Sequence, residues 1–236
     1  MKAEILFPEV ANLYGDLQNV EYLRRSCEDM TVTETSLKDT PRFLSEDIDL
    51  VYMGSITEQG QDLARDALLP HRDLLRKKID EGQLFLITGN AIDVFGEDIT
   101  ADDGTVRPML GVFPLRAHYR MMNRYNALFL GKFGETDIVG FKSLFGFTEG
   151  EVPPLFRTVR GCGRSPANAG EEGVRVNRFF ATHLTGPLLI LNPPFTKFLL
   201  SEMGAEDPHL AFEAEAEELY RRRVAEFSDP ATGINY

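Results

Sequence analysis

Residues 84–96, Leu-Phe-Leu-Ile-Thr-Gly-Asn-Ala-Ile-Asp-Val-Phe-Gly, constrain the fold of this chain more than any other stretch. The apolar run Leu84 to Ile87 is too short for a helix and reads as a strand buried on both faces. It passes directly into Thr88-Gly89-Asn90, and the apolar segment that follows can start a helix. A strand, a tight turn of small residues and a helix form the layout that holds a reactive side chain out at the carboxyl edge of a sheet. Chemistry at the tip of such a turn calls for cysteine or serine. Thr88 stands there instead.

The segments before this turn alternate between strand and helix patterns. Lys2 to Phe7 reads as a first strand, and Pro8 to Asp16 as a loop whose Asn12, Gly15 and Asp16 supply turn chemistry. Asp16 is placed to cap an amphipathic helix over 17–28. Strands are expected over 30–35 and 49–53, the second ending at Gly54-Ser55. A helix over 61–81 is divided by Pro70 and stopped by Gly82. This alternation predicts a mostly parallel, doubly wound α/β sheet flanked by helices. Ligands of such sheets sit beyond the carboxyl ends of the strands, where Tyr14, Gly54, Ser55, Thr88 and Gly89 would gather.

The second half has a different pattern. Short strands are expected at 109–113, 117–122, 127–133, 137–141 and 155–160, with little helix between them, so an antiparallel meander is joined to the parallel sheet. Residues 161–173 form a glycine-rich loop, 174–184 a long strand, and 195–203 and 208–227 two C-terminal helices. The last helix carries acids early and bases late, as its dipole prefers. The 236 residues are expected to form one domain spanning 1–236.

Charge and cysteine content narrow the function classes. With 25 Lys+Arg against 37 Asp+Glu the net charge is −12, which disfavours a nucleic-acid backbone as partner. The two cysteines, Cys27 and Cys162, make no disulfide framework, and no Cys/His spacing suggests a metal site. Cys27 falls on the apolar side of its helix and reads as a structural thiol. No apolar run approaches the ~20 residues of a membrane span. The N-terminus lacks a signal-peptide pattern, so a cytoplasmic location is expected. No cofactor is expected.

Several strings, in order, carry a family resemblance: 12–19 (Asn-Leu-Tyr-Gly-Asp-Leu-Gln-Asn), Ile87-Thr88-Gly89, Leu110-Gly111-Val112, Ile138-Val139-Gly140-Phe141 and Leu184-Thr185-Gly186-Pro187. Through them the chain, from Asn12 to about Met203, resembles the class I glutamine amidotransferases of the cobyric acid synthase type. It is most similar to those that amidate a cell-wall precursor beside a Mur-ligase-like subunit. The resemblance implies glutamine hydrolysis that delivers ammonia to such a ligase, with a homodimer as the alternative assembly and glutamine or another small molecule as ligand. It also places the family's cysteine nucleophile at Thr88 and its catalytic histidine at Thr185, and here both groups are alcohols.

Glutamine hydrolysis through a thioester needs a nucleophile that ionises near neutrality. A cysteine, with a reference pKa of ~8.5, does so in part, whereas an internal threonine does not. A degenerate site is therefore expected at Thr88 and Thr185. The candidate substitutes are Cys162, expected to be exposed with its pKa lowered by nearby arginines, and His183, displaced ~6.5–7 Å along the strand from Thr185. His71, His118 and His209 have no evident nucleophile as partner. Gly54, Ser55, Gly89, Asn90, Arg124, Tyr14 and Asp16 are the expected ligand-binding residues, Arg124 because Asn123-Arg124 matches a pair that the family places near its glutamine site.

Overall fold

The protein is described from a computed structural model covering residues 1–234. In chain order the first half comprises β1 (Lys2–Leu6), α1 (Gln18–Ser26), β2 (Thr31–Thr35), β3 (Leu50–Met53), α2 (Glu58–Leu68), α3 (Arg72–Asp80) and β4 (Phe85–Thr88). A 3-10 helix, Gly89–Phe95, continues directly from β4. Short strands follow: β5 (Asp98–Thr100), β6 (Val106–Pro108), β7 (Arg116–Tyr119), β8 (Tyr125–Phe133), β9 (Thr136–Leu144), β10 (Gly146–Glu149), β11 (Phe156–Arg160), β12 (Glu171–Glu172), β13 (Val174–Val176) and β14 (Phe179–Thr182). The helices α4 (Leu188–Leu191), α5 (Pro193–Glu202) and α6 (Glu213–Ser228) come last.

The main sheet has the order β13-β14-β4-β3-β1-β2, parallel throughout except for the antiparallel edge pair β13–β14. Its central strands are apolar on both faces, and side-chain alternation sorts them into two cores. Val51, Met53, Phe85 and Ile87 pack with Ala64, Leu68, Leu75 and Ile79 of α2 and α3. Leu50, Tyr52, Leu84 and Leu86 face the other way, onto Val20 and Leu23 of α1 and Leu188, Leu199 and Leu200 of α4 and α5. Full burial of each Leu, Ile or Phe contributes roughly 1.5–3 kcal/mol, which is why the layers close on this sheet. The expected doubly wound α/β architecture is present.

The antiparallel half forms two further four-stranded sheets, β10-β7-β5-β6 and β12-β11-β8-β9. Four local expectations are corrected. Residues 109–113 are not a strand: the amides of Leu110, Val112 and Phe113 donate to the carbonyls of Val94 and Phe95, pinning this loop to the 3-10 helix. The long strand at 174–184 is a hairpin, turned at Asn177, whose φ of +52° breaks the extended chain. The last helix starts at Glu213 rather than 208, because Phe212 sits at a φ of +54°. Asp16 caps no helix with its side chain, since its carboxylate is used elsewhere. Thr57 caps α2 by accepting from the Gly60 amide, and Pro70 lies in the 3-10 turn between α2 and α3. Among the described residues no helix is long and apolar enough to cross a membrane, and no His/Cys/Asp/Glu group could hold a metal ion.

Candidate active-site crevice

The turn after β4 keeps a sharp bend, but the bend falls one residue beyond the expected tip. Thr88 is extended (φ −120°, ψ 154°), whereas Gly89 takes a φ of +62°. A left-handed residue at the strand-to-helix junction is the geometry that projects a nucleophile, and here it has no side chain. The space above Gly89 is filled. A Cβ there would overlap Ser55 Oγ and lie 2.7 Å from the Ser55 Cβ and 3.1 Å from its Cα. Taking either Thr88 or Gly89 as the tip, no thiol is present.

Asp16 organises the floor of the crevice. Its Oδ2 accepts from the Ser55 amide (2.7 Å), the Ser55 hydroxyl (2.5 Å) and the Thr88 hydroxyl (2.8 Å), and its Oδ1 accepts from the Gly186 amide. One fully buried carboxylate thus ties together the loop after β1 and the ends of β3 and β4 with the turn preceding α4. Burial pushes its pKa up, and the hydrogen bonds from Ser55, Thr88 and Gly186 oppose that shift. Thr88 is also fully buried, with the Tyr52 hydroxyl 3.0 Å from its Oγ1. Thr185 donates from both its amide (2.9 Å) and its hydroxyl (3.3 Å) to the Phe141 carbonyl. Both alcohols are committed to structural hydrogen bonds.

Behind Thr185 lies a buried ionisable network. His183 Nε2 is 3.1 Å from Thr148 Oγ1 and 3.5 Å from Asp93 Oδ1, while the Thr148 and Tyr119 hydroxyls donate to the two Asp93 oxygens at 2.6 and 2.7 Å. The His183 amide and the Thr182 hydroxyl donate to Glu172, which also pairs with the buried Lys142 ammonium. Gln61 closes the network by donating to the Tyr119 hydroxyl at 2.7 Å. Burial alone would lower the His183 pKa, but the neighbouring Asp93 and Glu172 carboxylates overcome it and hold the pKa above the usual histidine value. Such a group stabilises the fold fully below its unfolded pKa of ~6.5, and the contribution is lost as pH rises through the folded value. Urea midpoints should therefore fall as pH is raised above ~6.5 in the wild type and flatten in His183→Gln; equal slopes for the two proteins would refute the assignment.

A small cavity of about 80 Å³ opens onto this network, lined among others by Tyr14, Asn90, Arg124, Thr185, His183 and Asp93. It brings together three of the expected ligand-binding residues, Tyr14, Asn90 and Arg124. The other four, Gly54, Ser55, Gly89 and Asp16, lie buried behind the wall rather than in it. Asn90 Oδ1 accepts from the Ile56 amide, and the Arg124 guanidinium stacks 4.4 Å from the Phe145 ring centre. At Gly54 the backbones approach closely, leaving a Cβ only 2.7 Å from the Ala11 carbonyl.

Cys162 departs from expectation. It is half-buried, burial raises its pKa, and Lys142 only partly offsets this. The nearby Arg164 is fully buried and paired with Glu171, so it does not activate the thiol. His118 and His209 are exposed and His71 ends a 3-10 turn, all outside the cavity lining. The sequence reading missed Asp93, Tyr119, Thr148, Lys142 and Glu172. The available signal was a lone ionisable residue inside an apolar run, Asp93 within 91–95 and Lys142 within β9, since such a charge needs a buried partner.

Comparison with known proteins agrees with this architecture. The chain is 24% identical over 204 residues to the GatD subunit of the glutamine-hydrolysing lipid II isoglutaminyl synthase of Staphylococcus aureus (strain N315), covering 86% of this chain and 83% of that protein. A crystal structure of a glutamine amidotransferase superposes with a TM-score of 0.55 at 18% identity, covering 86% of this chain and 99% of that one. A second glutamine amidotransferase, from Thermotoga maritima, gives a TM-score of 0.50 at 10% identity, covering 95% and 94% of the two chains. No family model matches the chain. In sequence the chain is thus similar to the GatD subunit, and in fold to the class I glutamine amidotransferases.

Proposed function

We propose that this protein is a catalytically degenerate amidotransferase-like subunit. In this reading residues 1–236 form a single domain that works in the cytoplasm as a binding or scaffold component beside a Mur-ligase-like partner. The observation that carries the reading is Gly89: the left-handed tip residue has no side chain, and Ser55 fills the volume a nucleophile would need. Thr185 adds to it, because a hydroxyl donating to the Phe141 carbonyl is no substitute for an imidazole base. The S. aureus relative, described as a subunit of a synthase, supports a ligase-type partner over a homodimer. Retained Tyr14, Asn90 and Arg124 at the cavity give such a subunit a place to bind glutamine or a related small molecule without cleaving it.

Ammonia release from L-glutamine by the purified full chain tests this reading. Release is expected to stay at the uncatalysed background in the wild type and in Cys162→Ala alike. Turnover in the wild type that disappears in Cys162→Ala would establish a relocated nucleophile and overturn the proposal.

A further inference from the structure

Next to the cavity, on the outer side of Phe145, runs a larger groove of about 680 Å³, a size typical of small-molecule sites. Its floor is aromatic. The Tyr125 and Phe147 rings lie 5.5 Å apart, and Phe147 stands opposite His118 in the β7–β10 pair, on the same face of that sheet. Two cations, Arg120 and Arg124, line it together with His118 and the carboxylate of Glu149. Among the described residues neither Arg120 nor Arg124 takes part in an ion pair, whereas Arg116 on the adjacent strand is bound by both Glu97 and Asp98. On a chain of net charge −12, two exposed arginines without a carboxylate partner beside a tilted pair of aromatic rings are a local reversal of the overall charge.

We infer that this groove binds a nucleoside phosphate. A guanidinium pair grips a phosphate through charge-assisted, bidentate hydrogen bonds, and a base stacks on aromatic faces or on an arginine plane. Both elements line a groove whose volume of about 680 Å³ falls in the range of small-molecule sites. The net charge of −12 disfavours a longer polyanion. Arg124 borders both the groove and the smaller cavity, so a bound phosphate would sit at the entrance to the crevice. The inference stands independently of whether any glutamine chemistry survives.

Titration calorimetry on the full chain at low salt tests it, with adenosine 5′-monophosphate, uridine 5′-monophosphate, adenosine and inorganic phosphate as separate probes. At least one nucleotide is expected to bind tenfold or more tighter than adenosine or phosphate alone. The Arg120→Gln/Arg124→Gln variant, altered only at exposed positions, is expected to weaken it at least tenfold. Saturable binding by neither nucleotide, phosphate binding as tight as the nucleotides, or unchanged affinity in the double variant would each overturn the assignment.

Discussion

Asp16→Ala is expected to lower the stability of this protein by about 3 kcal/mol, an unusually large effect for a residue in a loop. The carboxylate accepts four hydrogen bonds, and two of the donors, the amides of Ser55 and Gly186, cannot rotate toward another partner. Each stranded buried donor costs roughly 1–3 kcal/mol. Relief of the carboxylate's own desolvation, visible in its raised pKa, offsets part of that loss. In Asp16→Asn the side chain would keep one accepting oxygen but turn an NH2 toward a donor, so this variant should fall between Asp16→Ala and wild type. Urea unfolding followed by circular dichroism measures the series. An Asp16→Ala midpoint within error of wild type would show that the hub does not hold these loops.

The second large effect concerns the empty tip. Gly89→Cys, which places a thiol at the bend, is expected to destabilise the fold by about 3 kcal/mol or more, combining ~1–3 kcal/mol of left-handed strain with ~1–3 kcal/mol of overpacking. The overlap has a named partner, because the new Cβ would run into the Ser55 hydroxyl and come within 2.7 Å of its Cβ. Adding Ser55→Gly to Gly89→Cys should therefore recover part of the loss, even though Ser55→Gly alone removes a hydrogen bond to Asp16. Ser55→Ala should rescue less, since its Cβ remains in the way. A double-mutant cycle from thermal or urea unfolding gives the coupling, expected to be favourable by about 0.5–3 kcal/mol. Additive losses would mean that Ser55 does not occupy the space above Gly89.

Much of the architecture was readable because it rests on periodicity. The alternating apolar strands Leu50–Met53 and Phe85–Thr88 and the helical spacing of α1 to α3 required two packed layers on a parallel sheet. Errors arose where one residue's backbone conformation decided the outcome. Asn177 and Phe212, both at positive φ, split one expected strand and shortened one expected helix; asparagine tolerates that conformation and was a usable signal, whereas phenylalanine gives none. The strand expected at 109–113 failed for another reason: its amides found partners on the 3-10 helix rather than on a neighbouring strand.

By itself the sequence determined the fold class and the placing of Thr88 and Thr185, two alcohols, at the ends of their apolar strand segments. These follow from local apolar pattern and from side-chain identity, which need no coordinates. Only the tertiary structure decided that the bend belongs to Gly89, that Ser55 fills the space above it, and that Asp16 is a buried hub rather than a helix cap. It alone joined His183 to Asp93, 90 positions apart, and to Glu172 and Lys142. A buried charge is stable only with partners, and chain connectivity places those partners on strands distant in sequence that no spacing rule can pair.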